Sequence, residues 1–168
     1  MHGIVILLLI SALVLYFAER KSLFALGLIP SMRGVGEIAG AFLFVAALCT
    51  AVQLIEAFVA SAEIRRNQTA SNEIIQMFWW DFRSVLTEEL VFRGALLIIL
   101  INRIGIQRAI LISASAFGVY HWFSFGIFGN VIPMIFVFIG TGLMGYGFAL
   151  SFARTQTIWM PTALHLGW

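Results

Sequence analysis

Thr87-Glu88-Glu89-Leu90-Val91-Phe92-Arg93-Gly94, followed without a break by the apolar run 95–101, is the stretch that decides the fold. Two carboxylates and a guanidinium sit here in a chain that is otherwise almost wholly apolar. An ionised group at bilayer depth costs about 2.5–3.5 kcal/mol on insertion scales, so such groups are kept where they are used. The chain has 168 residues, of which 61% are hydrophobic and 11% charged, and its mean hydropathy is +1.00. Soluble domains average about 45–50% apolar and about 25% charged. The excess implies an all-α, polytopic transmembrane helix bundle, because a helix satisfies its own backbone in lipid.

Cutting the apolar runs at charges, prolines and glycines gives six segments, roughly 3–18, 36–60, 76–101, 107–123, 128–152 and 157–168. The last is cut off by the chain end. The first is short for a span, but it lacks a basic n-region and a small-x-small cleavage site, so it reads as a retained helix. The stretch 61–76 is the most polar and reads as an exposed loop, with a glycosylation-type triplet at Asn67-Gln68-Thr69. Two parts follow: N-terminal helices and loops over 1–75, and a core over 76–168.

The net charge of +2 comes from arginines flanking apolar runs, which is a topology signal and not a nucleic-acid footprint. Arg20, Lys21, Arg33, Arg103, Arg108 and Arg154 fall on one side, against Arg65 and Arg66 on the other. The positive-inside rule then puts the N-terminus outside. The lipid bilayer is the first partner implied, and the oligomeric state is not legible. Gly36-x-x-x-Gly40 and the Gly145, Ala149, Ala153 series are read as helix-packing stripes. Cys49, the single cysteine, lies in an apolar run and reads as a small buried or lipid-facing residue.

On a helix Glu89 and Arg93 stand at i,i+4 with the acid first, the favourable order for an ion pair. Glu88 points about 100° away, on the face of Asp81, and has no local partner. A carboxylate free of a cation is the one able to take a proton from water. His121 ends the fourth segment, with Phe117 one turn earlier, and His165 follows Pro161 by four residues. Two histidines and a glutamate from separate helices can converge on one water, through a metal or by direct hydrogen bonding. No His-Glu-x-x-His and no Gly-x-Ser-x-Gly occurs, so a hydrolase here would use glutamate as base and water as nucleophile. The residues alone also fit a structural ion network in a membrane scaffold, or a proton-coupled carrier.

Glu-Glu-x-x-x-Arg at 88–93, Phe-x-x-x-His at 117–121 and Trp-x-Pro-x-x-x-His at 159–165 resemble, in type and order, the three motifs of the CPBP family of intramembrane peptidases. That family includes the type II CAAX prenyl endopeptidases and the bacterial Abi proteins linked to bacteriocin processing and immunity. The run Thr141-Gly142-Leu143-Met144-Gly145 is similar to the segment before its third motif. The resemblance covers about 75–168.

It implies an intramembrane endopeptidase in a bacterial inner membrane, acting on a membrane-associated peptide or protein with a lipidated C-terminus or bacteriocin-like character. Carried over, it makes Glu88 the general base, His121 a residue holding the water, and His165 the oxyanion stabiliser. Glu89 and Arg93 would position the site or bind substrate, and Phe117 would shape it. The family is often described as metalloproteases, so Glu88, His121 and His165 are also the metal-ligand candidates. The expectation is that no cofactor is required, with a divalent metal such as zinc as the alternative. The family's third motif carries Asn or Asp four residues after its histidine, a position beyond Trp168. A truncated chain, or a site short of one oxyanion donor, is expected on that ground.

Overall fold

The computed structural model describes residues 2–63 and 70–168. Arg65, Arg66 and the Asn67-Gln68-Thr69 triplet lie outside the described residues. The described chain is all-helical: α1 (His2–Glu19), a short 3-10 turn (Leu23–Leu26), α2 (Met32–Val59), α3 (Ser71–Arg93), α4 (Ala95–Ile104), α5 (Ile106–Ser124), α6 (Val131–Thr155) and α7 (Trp159–Leu166). Three of these, α1, α2 and α6, are long and apolar enough to cross a membrane. The ends of α1, α5 and α7 fall within two residues of the apolar runs, α6 is shifted three residues along the chain at both ends, and α2 starts four residues early at Met32. Two larger differences involve the third run. The helix of α3 begins at Ser71, so part of the polar stretch 61–76 is helical.

The run 76–101 is not one helix but two, broken at Gly94. A Cβ on Gly94 would run into the Leu90 carbonyl, so this turn tolerates only glycine as it stands. The break frees backbone acceptors in the last turn of α3. Ser113 on α5 donates its hydroxyl to one of them, the Phe92 carbonyl, at 3.0 Å.

The core gathers Leu15 of α1, Leu86 and Leu90 of α3, Leu97 of α4, Ile110 of α5 and Phe152 of α6 around one apolar centre. Helices α5 and α6 form the most extensive pair, and α3 is wedged against α1, α4 and α7. The outer faces stay apolar, as lipid-facing helices require: Phe58 and Phe136 are 86% and 71% exposed. None of α2 is buried, and it packs mainly on α7.

The glycine stripes divide. Gly145 and Ala149 are buried in α6, as a packing stripe should be. A Cβ on Gly36 or Gly40 would meet nothing within 4 Å, so among the described residues that pair packs against no helix, contrary to the sequence reading. Cys49 is half-buried and donates its thiol to the Trp168 carbonyl at 3.0 Å, which ties α2 to the end of α7.

What fixes α7 is the turn after α1. Ile158 N donates to the Leu26 carbonyl at 2.8 Å, Thr157 Oγ1 to Gly27 at 2.7 Å, and Trp159 Nε1 to Leu28 at 2.8 Å. These bonds set the start of a two-turn helix whose last turn carries His165.

Candidate active site

The third, fifth and seventh helices each bring a titratable side chain of the predicted site to a cavity of about 480 Å³. Glu88 comes from α3, His121 from α5 and His165 from α7, with Asp81, Ser84 and Thr141 also on the wall. The three residues singled out in the sequence thus face one space. Asp81 and Glu88 share it because they lie one heptad apart on α3.

Glu89 and Arg93 do not line this cavity. Both side chains are fully buried, and Arg93 Nη1 donates to Glu89 Oε1 at 3.2 Å. With no exposure, neither is placed to touch a substrate, so of the two roles implied for them only positioning is compatible with the structure. Arg93 Nη2 donates to the Gly145 carbonyl on α6 at 3.0 Å. The guanidinium is boxed by rings: Phe117 lies 4.3 Å from its Cζ, Phe148 5.3 Å and Phe92 5.7 Å. Cation–π attraction of this kind grows when the cation is desolvated. Gly145 makes room for it, since a Cβ there would stand 2.9 Å from Phe117 Cδ1 and 3.1 Å from Arg93 Nη2.

The same Glu89 Oε1 accepts a hydrogen bond from His165 Nδ1 at 2.8 Å. Glu89 is therefore more than the local partner of Arg93: it holds a histidine 76 positions away in sequence. Because a carboxylate accepts, Nδ1 carries the proton, and Nε2 is the nitrogen left for chemistry. That Nε2 stands 4.0 Å from Glu88 Oε2. His121 is set in the same way, its Nδ1 donating to the Phe117 carbonyl at 2.8 Å and its Nε2 left as an acceptor. Rings fix both imidazoles: His165 stacks on Phe148 with centroids 4.8 Å apart, and Phe117 meets both histidines edge-on. Locking a histidine tautomer through its far nitrogen is how proteins orient metal ligands and catalytic bases alike.

The gap between Glu88 and His165 is 4.0 Å. A tetrahedral zinc with bonds of about 2.0–2.1 Å sets its donor atoms about 3.3–3.4 Å apart. A water about 2.8 Å from each atom spans the same gap with an angle near about 90° at its oxygen. Glu88 Oε2 is buried and has no hydrogen-bond partner, which marks the spot where such a water belongs. No group of three His, Cys, Asp or Glu side chains among the described residues is arranged to hold a metal ion. The Glu88–His165 pair as placed is wider than two ligands of a tetrahedral zinc and is spanned by a bridging water.

Residues 70–168 match the family described as type II CAAX prenyl endopeptidase Rce1-like. The chain belongs to this family. No curated protein and no solved structure matches it. The match opens one residue before α3 and takes in α3 through α7, the helices that build the cavity. Together with its apolar helices this makes the Rce1-like chain an integral membrane protein.

Several residues of the Rce1-like site were not singled out as candidates in the sequence. Phe148 and the Gly145 carbonyl both come from α6, and the run 141–145 was the one signal pointing there. Thr141 and Met144 of that run line the cavity. Ser84 could have been found from the face it shares with Glu88, at i,i+4 on α3.

Proposed function

We propose that this Rce1-like protein is an intramembrane endopeptidase that hydrolyses a peptide bond in a membrane-associated substrate of the prenylated, CAAX type. The observation that carries the reading is the partnerless Glu88 Oε2, 4.0 Å from His165 Nε2, in a cavity that also contains His121. The side chains of Glu88 and His165 are 17% and 15% exposed, so a substrate can reach them.

In the reaction, Glu88 takes a proton from a water that His121 Nε2 also holds. The hydroxide attacks the carbonyl carbon, and the oxyanion forms toward His165. A proton taken up from solvent at Nε2 lets His165 donate to that oxyanion, while Glu89 keeps its Nδ1–H. Glu89 thus acts on His165 as the buried aspartate does on histidine in a serine-protease triad. On collapse, the C–N bond breaks and the amine leaves with the proton held by Glu88. General base catalysis of this kind contributes about 10²–10⁴ in rate. No step calls on a metal, and the pathway needs no cofactor.

The test is Glu88→Gln in the full chain reconstituted in lipid, assayed on a farnesylated peptide. Cleavage should fall by at least about 10²-fold, with helical circular dichroism and melting temperature retained. Wild-type turnover in Glu88→Gln would remove Glu88 from the base role and, with it, this mechanism.

A further inference from the structure

Glu88 stands between two cavities. On its other side a space of about 400 Å³ is lined by Arg83, Thr87 and Tyr120, and α1 closes it through Gly3 and Ile4. Arg83 is half-buried there. Its Nε makes one long contact, to the Trp79 carbonyl at 3.4 Å, and its guanidinium lies 6.0 Å from the Trp79 ring. Among the described residues no carboxylate pairs with it, whereas Arg33, Arg93 and Arg103 each have an acid. An arginine beside a cavity and without a carboxylate partner has its guanidinium fork free for an anionic ligand.

Taking the endopeptidase reading as given, we propose that Arg83 binds a carboxylate of the substrate peptide and so sets where the chain is cut. The geometry supplies the ruler. Five residues separate Arg83 from Glu88 on α3, about 7.5 Å along the axis. With the reach of the arginine side chain added, that spans about two to four residues of extended peptide. A guanidinium fork is matched to a carboxylate, and Trp79 and Trp80, four and three positions before it, are of the residue type enriched at the membrane–water boundary. A peptide end entering from that boundary meets Arg83 first and Glu88 about one and a half turns deeper. The carboxylate is either the chain terminus or an acidic side chain near it, and both have the same chemistry.

The experiment measures equilibrium binding of fluorescent S-farnesylated tetrapeptides to the full chain in nanodiscs, in a Glu88→Gln background that holds the peptide intact. Three probes are compared: a free C-terminal acid, the C-terminal amide, and an amide with aspartate in the last position. The free acid should bind about tenfold more tightly than the amide, and Arg83→Gln should reduce that ratio to about one while Arg83→Lys retains most of it. Tight binding of the aspartyl amide assigns the site to acids generally; weak binding assigns it to the terminus. An unchanged ratio in Arg83→Gln, no ratio in the parent, or no binding of any probe overturns the proposal. So does an Arg83→Gln effect seen only when phosphatidylglycerol is added, which would make the site a lipid-headgroup contact. Failure of the catalytic reading shows separately, as an acid preference that depends on Arg83 in a wild-type protein that cleaves none of the probes.

Discussion

Replacing Gly145 with alanine adds one methyl group to α6, at a residue that does not itself line the cavity, and it should cripple peptide cleavage. The new Cβ would stand 2.9 Å from Phe117 Cδ1 and 3.1 Å from Arg93 Nη2. Neither neighbour has room to yield. Phe117 is 1% exposed, and Arg93 is fully buried, tied to Glu89 and to the Gly145 carbonyl. Overpacking of this kind costs about 1–3 kcal/mol, while the helix propensity of alanine over glycine returns up to about 1 kcal/mol. The net loss of stability is therefore modest, about 0–2 kcal/mol. Activity is the sharper readout. Pushing Arg93 shifts Glu89, and Glu89 holds His165, so the imidazole moves with respect to Glu88. A displacement of about 1 Å at a reacting group can cost 10²-fold in rate. Gly147 supplies the control, two residues on in the same helix, where an added Cβ would meet nothing within 4 Å. Thermal melts in detergent and initial cleavage rates for Gly145→Ala and Gly147→Ala, side by side, test the chain of contacts. If both variants kept wild-type rates, the coupling from α6 through Arg93 to His165 would be refuted.

Two further outcomes are expected. Glu89→Gln leaves Arg93 charged and buried without its acid, a loss of about 3–5 kcal/mol by analogy with broken buried ion pairs. It should lower the melting temperature far more than Glu88→Gln does. Prolonged dialysis against a chelator, with metal content checked by mass spectrometry, should leave peptide cleavage within about twofold of the untreated rate, because the 4.0 Å spacing of Glu88 and His165 is too wide for a tetrahedral zinc.

The outline of the bundle was legible because lipid imposes one rule on every residue of a span, and apolar runs report it directly. The division between Glu88 and Glu89 was legible too, since 100° per residue is a property of any helix. What spacing could not reveal is whatever depends on a distant partner. Glu89 meets His165 across 76 positions, and Arg93 meets the Gly145 carbonyl across 52. No local pattern carries those pairings. The break at Gly94 was hidden for a different reason. A lone glycine within an apolar run is tolerated in a helix, and only the crowding against Leu90 shows that here it ends one. Gly36 and Gly40 erred in the opposite direction: the motif describes a surface capable of close approach, and the described residues offer it no partner.

A buried ion pair is weak evidence that a protein needs it for stability, and that weakness can be turned into a test of what Glu89 and Arg93 are for. Apolar residues of similar volume often match or exceed a buried pair by about 1–4 kcal/mol, because the charges no longer have to be desolvated. The double variant Glu89→Leu/Arg93→Met should therefore melt near or above wild type, although each single change is strongly destabilising. A structural network would be served equally well by that substitution. A positioning network would not, since His165 loses the carboxylate that fixes its Nδ1 at 2.8 Å and is free to turn its Nε2 away from Glu88. Stability restored with cleavage still lost would mean the pair is kept for the orientation of His165. Stability and cleavage restored together would mean that the rings of Phe148 and Phe117 hold the imidazole unaided, and that the charges serve the fold alone.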